Sequence, residues 1–195
     1  GVKIIDAETN EKIEFKAKVI FLCASAMASV GILLQSKSKR FPNGLGNDSD
    51  ALGRGIMDHH YKLGATAKVD GYKWGLPQLA FDVEFKENEY NMREDIKKEI
   101  VTMFKAAGFK DVASYEESSG PGLGIHEMGG ARMGHSAKTS IINKNNQVHL
   151  VPNVYVTDGA FMSSSSCVNP SLTYMAFTAR AANHAAEQLK EGKFS

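Results

Sequence analysis

The chain is poor in the features that mark several common protein classes. It has two cysteines, Cys23 and Cys167, far apart in sequence. They show neither CxxC spacing nor the numbers of a disulfide framework, and both read as small buried apolar residues. No apolar run approaches the roughly 20 residues that cross a bilayer, so no membrane span is expected. Neither sign of charge dominates: 23 Lys and Arg face 22 Asp and Glu, a net charge of +1. That balance gives no electrostatic footprint for nucleic acid. Gly-x-Ser-x-Gly and His-Glu-x-x-His are absent, which removes the hydrolase elbow and the zincin helix. His59 and His60 are adjacent, so on a strand they point to opposite faces and make a poor metal pair. The first residues, Gly1 to Asp6, lack a charged-then-apolar leader. They start in mid-pattern without Met and read as an internal cut. The expected location is cytoplasmic.

What is present is ordinary globular composition: 195 residues, 43% hydrophobic and 23% charged. Val2 to Ile5 and Lys12 to Phe15 read as short strands about a polar turn. Val19-Ile20-Phe21-Leu22-Cys23 is a continuous run of β-formers, the pattern of a strand buried on both faces. Ala24-Ser25-Ala26 supplies a tight turn into a helix over Met27 to Gln35, with Val30, Leu33 and Leu34 inward. Strand, small-residue turn and helix together predict an α/β layer.

Residues 41–60 read as loop, rich in Gly and Asn. Gly44, Gly46, Gly53 and Gly55 hint at a nucleotide loop but do not spell GxGxxG. Leu63 to Val69 and Leu79 to Val83 are strand candidates about a turn over 71–77. Glu87 to Ala107 keeps helical spacing in Tyr90, Ile96, Ile100, Met103 and Phe104, and Gly108 stops it. Asn143 to Asn146 reads as a hairpin turn between Ile141-Ile142 and Gln147–Val151. Val154 to Val156 reads as a strand. The last helix runs from Pro170 to about Glu191 with Asn169 as its N-cap. Leu172, Met175, Ala176, Ala179, Ala182, Ala186 and Leu189 form an apolar, small-residue stripe suited to packing on a sheet.

Three places could carry chemistry. His126 sits between Gly124 and Gly129, where little crowds it, and an unperturbed pKa of about 6.5 suits a base for an alcohol proton. It could equally be a loop histidine bonded to backbone. Asn169 could cap the last helix, or aim its amide at a substrate oxygen while the helix dipole favours negative charge nearby. Asp158-Gly159 ends a strand; an acid and a glycine there could hold ribose-type hydroxyls or simply cap the strand. His149 and His184 read as structural or solvent-facing.

Taken together, these residues resemble the glucose–methanol–choline (GMC) family of flavin oxidoreductases. Lys18 to Ala26 with Ile32 to Ser36 is similar to the family's strand and helix returning to the FAD domain. Asn43 to Asn47, Gly53-Arg54 and Met57-Asp58-His59 resemble the loop that follows. His126 to Gly134 and Asn153 to Arg180 resemble the C-terminal signature. The resemblance implies an α/β fold with an α+β mix: a partial FAD-binding domain of GMC type with a remnant of the substrate-domain sheet and helix. Residues 1–70 would be the partial FAD-binding domain, 71–115 the substrate-domain remnant, and 116–195 the catalytic segment returning to the FAD domain. His126 would be the catalytic base and Asn169 its partner. Asp158 and Gly159 would approach the ribityl and pyrophosphate; Asn169, Pro170 and Thr173 would lie by the isoalloxazine; Ala24 and Ser25 would lie along the cofactor.

The implied activity is FAD-dependent oxidation of an alcohol or sugar CH–OH group. The implied partners are a small alcohol or sugar substrate and either an electron-acceptor protein or a complementary FAD-binding chain. The chain departs from the family in three respects. The amino-terminal dinucleotide motif is not in it. Only Tyr61 to Lys73 stands where members carry a long substrate-domain stretch. Gly129-Gly130 stands where members usually have Gly-Thr. An alternative is therefore a non-catalytic remnant, or a subunit that completes a flavoprotein in trans.

Overall fold

A computed structural model of the chain describes residues 1–58, 84–115, 124–166 and 168–194. The expected strands at 63–69 and 79–83, the turn at 71–77, His59, His60 and Cys167 lie outside the described residues. The chain divides into two compact units, one of Gly1–Met57 with His126–Ser195, the other of Asp58–Ile125. Among the described residues no helix is long and apolar enough to cross a membrane.

The first unit is built on a mixed three-stranded sheet. Strand β3 (Ile20–Leu22) pairs in parallel with β7 (Val151–Val156), in the register Ile20 to Val154, Phe21 to Tyr155 and Leu22 to Val156. On its other side β7 pairs antiparallel with β6 (Gln147–Val148). Helix α1 (Ala26–Gln35) follows β3, and helix α3 (Ser171–Lys190) is the last element. Two small pairs complete the unit: the hairpin of β1 (Val2–Ile5) and β2 (Lys12–Phe15), and the pair of β4 (Arg54–Met57) with β5 (Met128–Gly130).

The period-2 alternation of β7 divides the core in two. Val154 and Val156 point into a cluster with Val30 and Leu33 of α1, Ile141, Ile142, Val148 and Phe161. Tyr155 points the other way and packs with Ala181 and Ala185 of α3. Strand β7 is thus the strand covered on both faces. The sequence reading assigned that role to the run ending at Cys23, and the structure corrects it. Among the described residues β3 has a neighbour on one side only, and Phe21 is 39% exposed. Cys23 is exposed as well, contrary to its reading as a buried apolar residue.

Helix α3 is corrected in a second way. Its packed face is Tyr174, Phe177, Ala181 and Ala185. The stripe of Leu172, Met175, Ala176, Ala179, Ala182, Ala186 and Leu189 is exposed, with Leu172 at 77%. Both faces are apolar enough to read as core from spacing alone, so the pattern could not choose between them. The strand pair β4–β5 is likewise absent from the sequence reading, because glycine-rich segments carry no strand signal.

In the second unit, helix α2 (Glu87–Ala106) lies almost where its periodicity places it. The Lys86 N–H donates to Glu89 Oε2 at 2.9 Å, Glu87 and Glu89 complement the helix dipole, and Gly108 takes a positive φ of 88° just past the end. None of its residues is buried among the described residues.

Candidate functional site

The parallel pairing of β3 and β7 brings their carboxyl ends side by side. The Thr157 N–H donates to the Leu22 carbonyl at 3.2 Å, and Cys23 Sγ lies 3.1 Å from Thr157 Oγ1. Ala24-Ser25 and Asp158-Gly159 therefore leave neighbouring strand ends. Such ends are where open α/β sheets place ligands. Ser25 takes a positive φ of 77°, uncommon for a residue with a side chain, and forms the N-cap of α1.

A residue that sequence reasoning missed joins the two ends. Ser29 is fully buried in α1. Its Oγ accepts from the Ala24 N–H at 3.1 Å and donates to Asp158 Oδ2. The signal was available: a serine flanking inward Val30 on an apolar helix face must find a polar partner. Asp158 Oδ1 accepts from the Ala160 N–H at 3.0 Å, capping the 3-10 turn Gly159–Phe161. Burial raises the Asp158 pKa above the ordinary carboxylate value. The Ser29 hydroxyl and the N–H groups of Ala160, Ala24 and Ser25 oppose that rise. Both carboxylate oxygens already have partners, so the group is fixed in place and retains lone pairs for a ligand hydroxyl.

Three segments converge on Gly159. A Cβ there would come within 2.6 Å of the Glu127 carbonyl and 2.9 Å of the Tyr174 hydroxyl. Glu127 follows His126, and Tyr174 lies in the first turn of α3, so glycine is required for the three to meet. The loop after His126 is fastened to the same turn. The Ala131 N–H donates to the Ala160 carbonyl at 3.0 Å and the Met133 N–H to Phe161 at 2.9 Å. His126 itself is half-buried. Gly130 has φ of 84°, and a Cβ would lie 2.6 Å from Val30 Cγ2. This packing leaves no room for a side chain at that place.

At the start of α3 the structure corrects a detail. Pro170 is the N-cap, Ser171 is the first helical residue, and no side-chain capping bond is made. Asn169 is exposed, so its amide is not used by the helix as expected. Pro170 is buried and Thr173 half-buried. The first turn contains no acid, so its N–H groups and dipole offer positive potential to solvent. Thr178 Oγ1 donates to the Thr157 carbonyl at 3.4 Å, and Phe161 stacks on Phe177 with centroids 4.8 Å apart. Both contacts tie α3 to the end of β7. The structure thus brings together Ala24, Ser25, Asp158 and Gly159, and sets Gly159 beside the neighbours of His126 and Thr173. The two histidines read as structural or solvent-facing have side-chain partners: His149 Nε2 lies 2.9 Å from Ser140 Oγ, and His184 Nδ1 lies 2.9 Å from the Tyr155 hydroxyl.

Chemically, this wall offers a fixed acid for hydroxyl donors, close backbone approach at two strand ends, and a helix N-terminus for negative charge. These are the demands of a dinucleotide with a polyol chain, so the residues present fit that class of cofactor.

A family model described as GMC oxidoreductase matches residues 68–178. The chain is similar to 2-methyl-1,2-propanediol dehydrogenase of Mycolicibacterium austroafricanum, at 21% identity over 285 residues, covering 98% of this chain and 52% of the relative. It is similar to paromamine 6'-oxidase of Streptomyces fradiae, at 29% over 133 residues, covering 68% of this chain and 24% of the relative. The fructose dehydrogenase large subunit of Gluconobacter japonicus is 37% identical over 67 residues, covering 34% of this chain and 12% of the relative. The chain spans about half the length of the first of these and less of the others. Since 98% of 195 residues is about 191, the 285-residue match to the first contains about 94 positions with no residue here. With the family model covering more than half of its residues, the chain belongs to the GMC oxidoreductase family and matches it in the C-terminal domain.

Proposed function

We propose that the chain is the carboxy-terminal part of an FAD-dependent oxidoreductase acting on CH–OH groups of an alcohol or sugar. The observation that carries this reading is the convergence at Gly159 of the Asp158 strand end, the His126 loop and the first turn of α3. Relatives named for the oxidation of a propanediol and of paromamine, and for fructose dehydrogenation, support the substrate class.

In this reading Asp158 holds the cofactor's ribityl hydroxyls, Gly159 lets the cofactor chain pass close to the backbone, and Ala24 and Ser25 border it. Asn169, Pro170 and Thr173 place the α3 N-terminus against the isoalloxazine edge, where its dipole favours negative charge. FAD, when bound, supplies the acceptor for the substrate's hydride. His126 takes the hydroxyl proton, and the exposed Asn169 amide donates to the developing alkoxide without introducing another charge. Residues 1–70 and 116–195 then serve the cofactor and the chemistry, and 71–115 belong to the substrate side. Electrons leave to oxygen, a quinone or a carrier protein.

A second reading rests on a separate observation. Strand β3 has an unpaired edge among the described residues, and Phe21 on it is exposed. A chain that completes a flavoprotein in trans, or a non-catalytic remnant, would have this edge open. One experiment separates the readings: an absorbance spectrum of the purified chain after FAD addition and desalting. Retained flavin supports a cofactor site formed by this chain alone. Loss of all flavin sinks that reading and favours a complementary chain. With flavin retained, His126→Ala should lower alcohol oxidation by about 100-fold or more while leaving the flavin spectrum unchanged. Unchanged turnover would remove His126 as the base.

A further inference from the structure

Among the arginines, Arg40 pairs with Asp48 at 2.7 Å and Arg54 with Asp50. Arg180 reaches Asn146 Oδ1 at 3.4 Å and lies over the Phe177 ring. Arg132 differs. Its Nε–H is buried, and neither that group nor the rest of its guanidinium has a hydrogen-bond or carboxylate partner among the described residues. Buried polar atoms are rarely left so, because the lost hydration goes unreplaced.

The base of this side chain is rigid. The flanking Ala131 and Met133 N–H groups are bonded to Ala160 and Phe161, and the Arg132 carbonyl accepts from Ile141 at 3.1 Å. The guanidinium lies across the bare α-carbon of Gly55. A Cβ at Gly55 would stand 3.1 Å from Nε and 3.2 Å from Cζ, and φ there is +68°. The residue as a whole is only half-buried, so the fork can be reached from outside. An acceptor that engages Nε–H comes at the side of the fork and meets an Nη–H as well. The fitting partner has two oxygens on one centre, which means a phosphate or a carboxylate.

We propose that Arg132 is an oxyanion-binding residue that takes a phosphate or carboxylate group of a bound molecule. The group could belong to the diphosphate of a dinucleotide or to an acidic sugar. The assignment rests on the oxidoreductase reading only in the choice of these two sources.

The test is calorimetric titration of the purified chain with pyrophosphate, gluconate, FAD and riboflavin, beside Arg132→Met and Arg132→Lys. Circular dichroism and thermal melting establish that each variant is folded. Lys193→Met is the control, because Lys16, Lys18 and Lys193 line a separate open cleft that could attract anions. The expected result is binding of pyrophosphate or gluconate that weakens about tenfold or more in Arg132→Met, less in Arg132→Lys, and not in Lys193→Met. Weaker FAD binding with unchanged riboflavin binding assigns the group to the cofactor's diphosphate. A loss confined to gluconate assigns it to the substrate. The proposal is overturned if the wild-type chain binds none of the anions, if Arg132→Met binds them equally, or if Lys193→Met accounts for the loss. Flavin retention in Arg132→Met with unchanged affinity for every probe would refute the proposal and leave the cofactor reading standing.

Discussion

Strand β7 and helix α2 both carry regularly spaced apolar residues, and among the described residues only those of β7 are covered. In β7, Val154, Tyr155 and Val156 are buried and divide between two clusters on opposite faces. In α2, Ile96, Ile100, Met103 and Phe104 hold helical spacing, yet all are exposed, Met103 at 67%. Periodicity reports that a face is apolar; it does not report what lies against it. The difference has an energetic consequence. Burial of a large side chain contributes about 1.5–3 kcal/mol relative to exposure, so the fold is held by the first region and not by the described contacts of the second.

The largest effect should come from Phe161, which is buried, stacks on Phe177 and lies in the turn that fastens the His126 loop. Phe161→Ala should cost about 3–5 kcal/mol in denaturant unfolding, enough to unfold a marginal domain. A cost near zero would mean that the cluster around β7 is not the stabilising core.

The comparison also explains what could be read from the sequence. Helices α1 and α2 were legible because their apolar spacing and end residues are local properties. The hairpin of β1 and β2 was legible for the same reason. The burial of β3 was not, because a run of β-formers is the same whether its strand is central or at an edge. Strand burial is decided by neighbours far along the chain, here Val151–Val156 pairing with Ile20–Leu22. The outward face of α3 misled for a related reason. Leu172 and Met175 keep the spacing of a core stripe, while Ala181 and Ala185 make the actual contact with Tyr155. At the candidate site, Asp158 and Gly159 were legible as an acid and a glycine ending a strand. Ser29 was not picked out, although its polar side chain on an inward helix face required a partner.

Ser29 provides the next effect in size. Ser29→Ala leaves the Ala24 N–H and Asp158 Oδ2 each short of a partner. A buried polar group left unmatched costs about 1–3 kcal/mol, and thermal unfolding would show it. The same change should raise the Asp158 pKa further, because Ser29 is the strongest influence opposing burial. An unchanged melting temperature would sever the two strand ends in energetic terms.

Asp158 should then show a smaller effect with a defined pH dependence. Burial holds its folded pKa above the ordinary value of 3.8, so the folded chain binds this proton more tightly than the unfolded chain. The stability from this group is full below that ordinary value and falls as the pH rises through the raised folded one. Asp158→Asn should therefore be neutral to stabilising at pH 7, with the gain vanishing below about pH 4. Flavin affinity should fall in the same variant if the acid holds the cofactor's hydroxyls. A variant destabilised at pH 7 and not at pH 3 would reverse the sign and show that the hydrogen bonds to Asp158 outweigh its burial.

The smallest effect is expected in α2, and it tests the comparison most sharply. Met103→Ala should change stability by no more than about 0.5 kcal/mol, the range of exposed positions. Amide hydrogens of α2 should exchange faster than those of β7, since exchange follows local opening and α2 has no buried residue among those described. A cost of about 2–5 kcal/mol, in the range of buried Met to Ala changes, would mean that something covers this face in solution. The concentration dependence of that cost identifies the cover. If it grows with protein concentration, the cover is another copy of the chain, because association stabilises by mass action. If it does not, the cover comes from within the same chain.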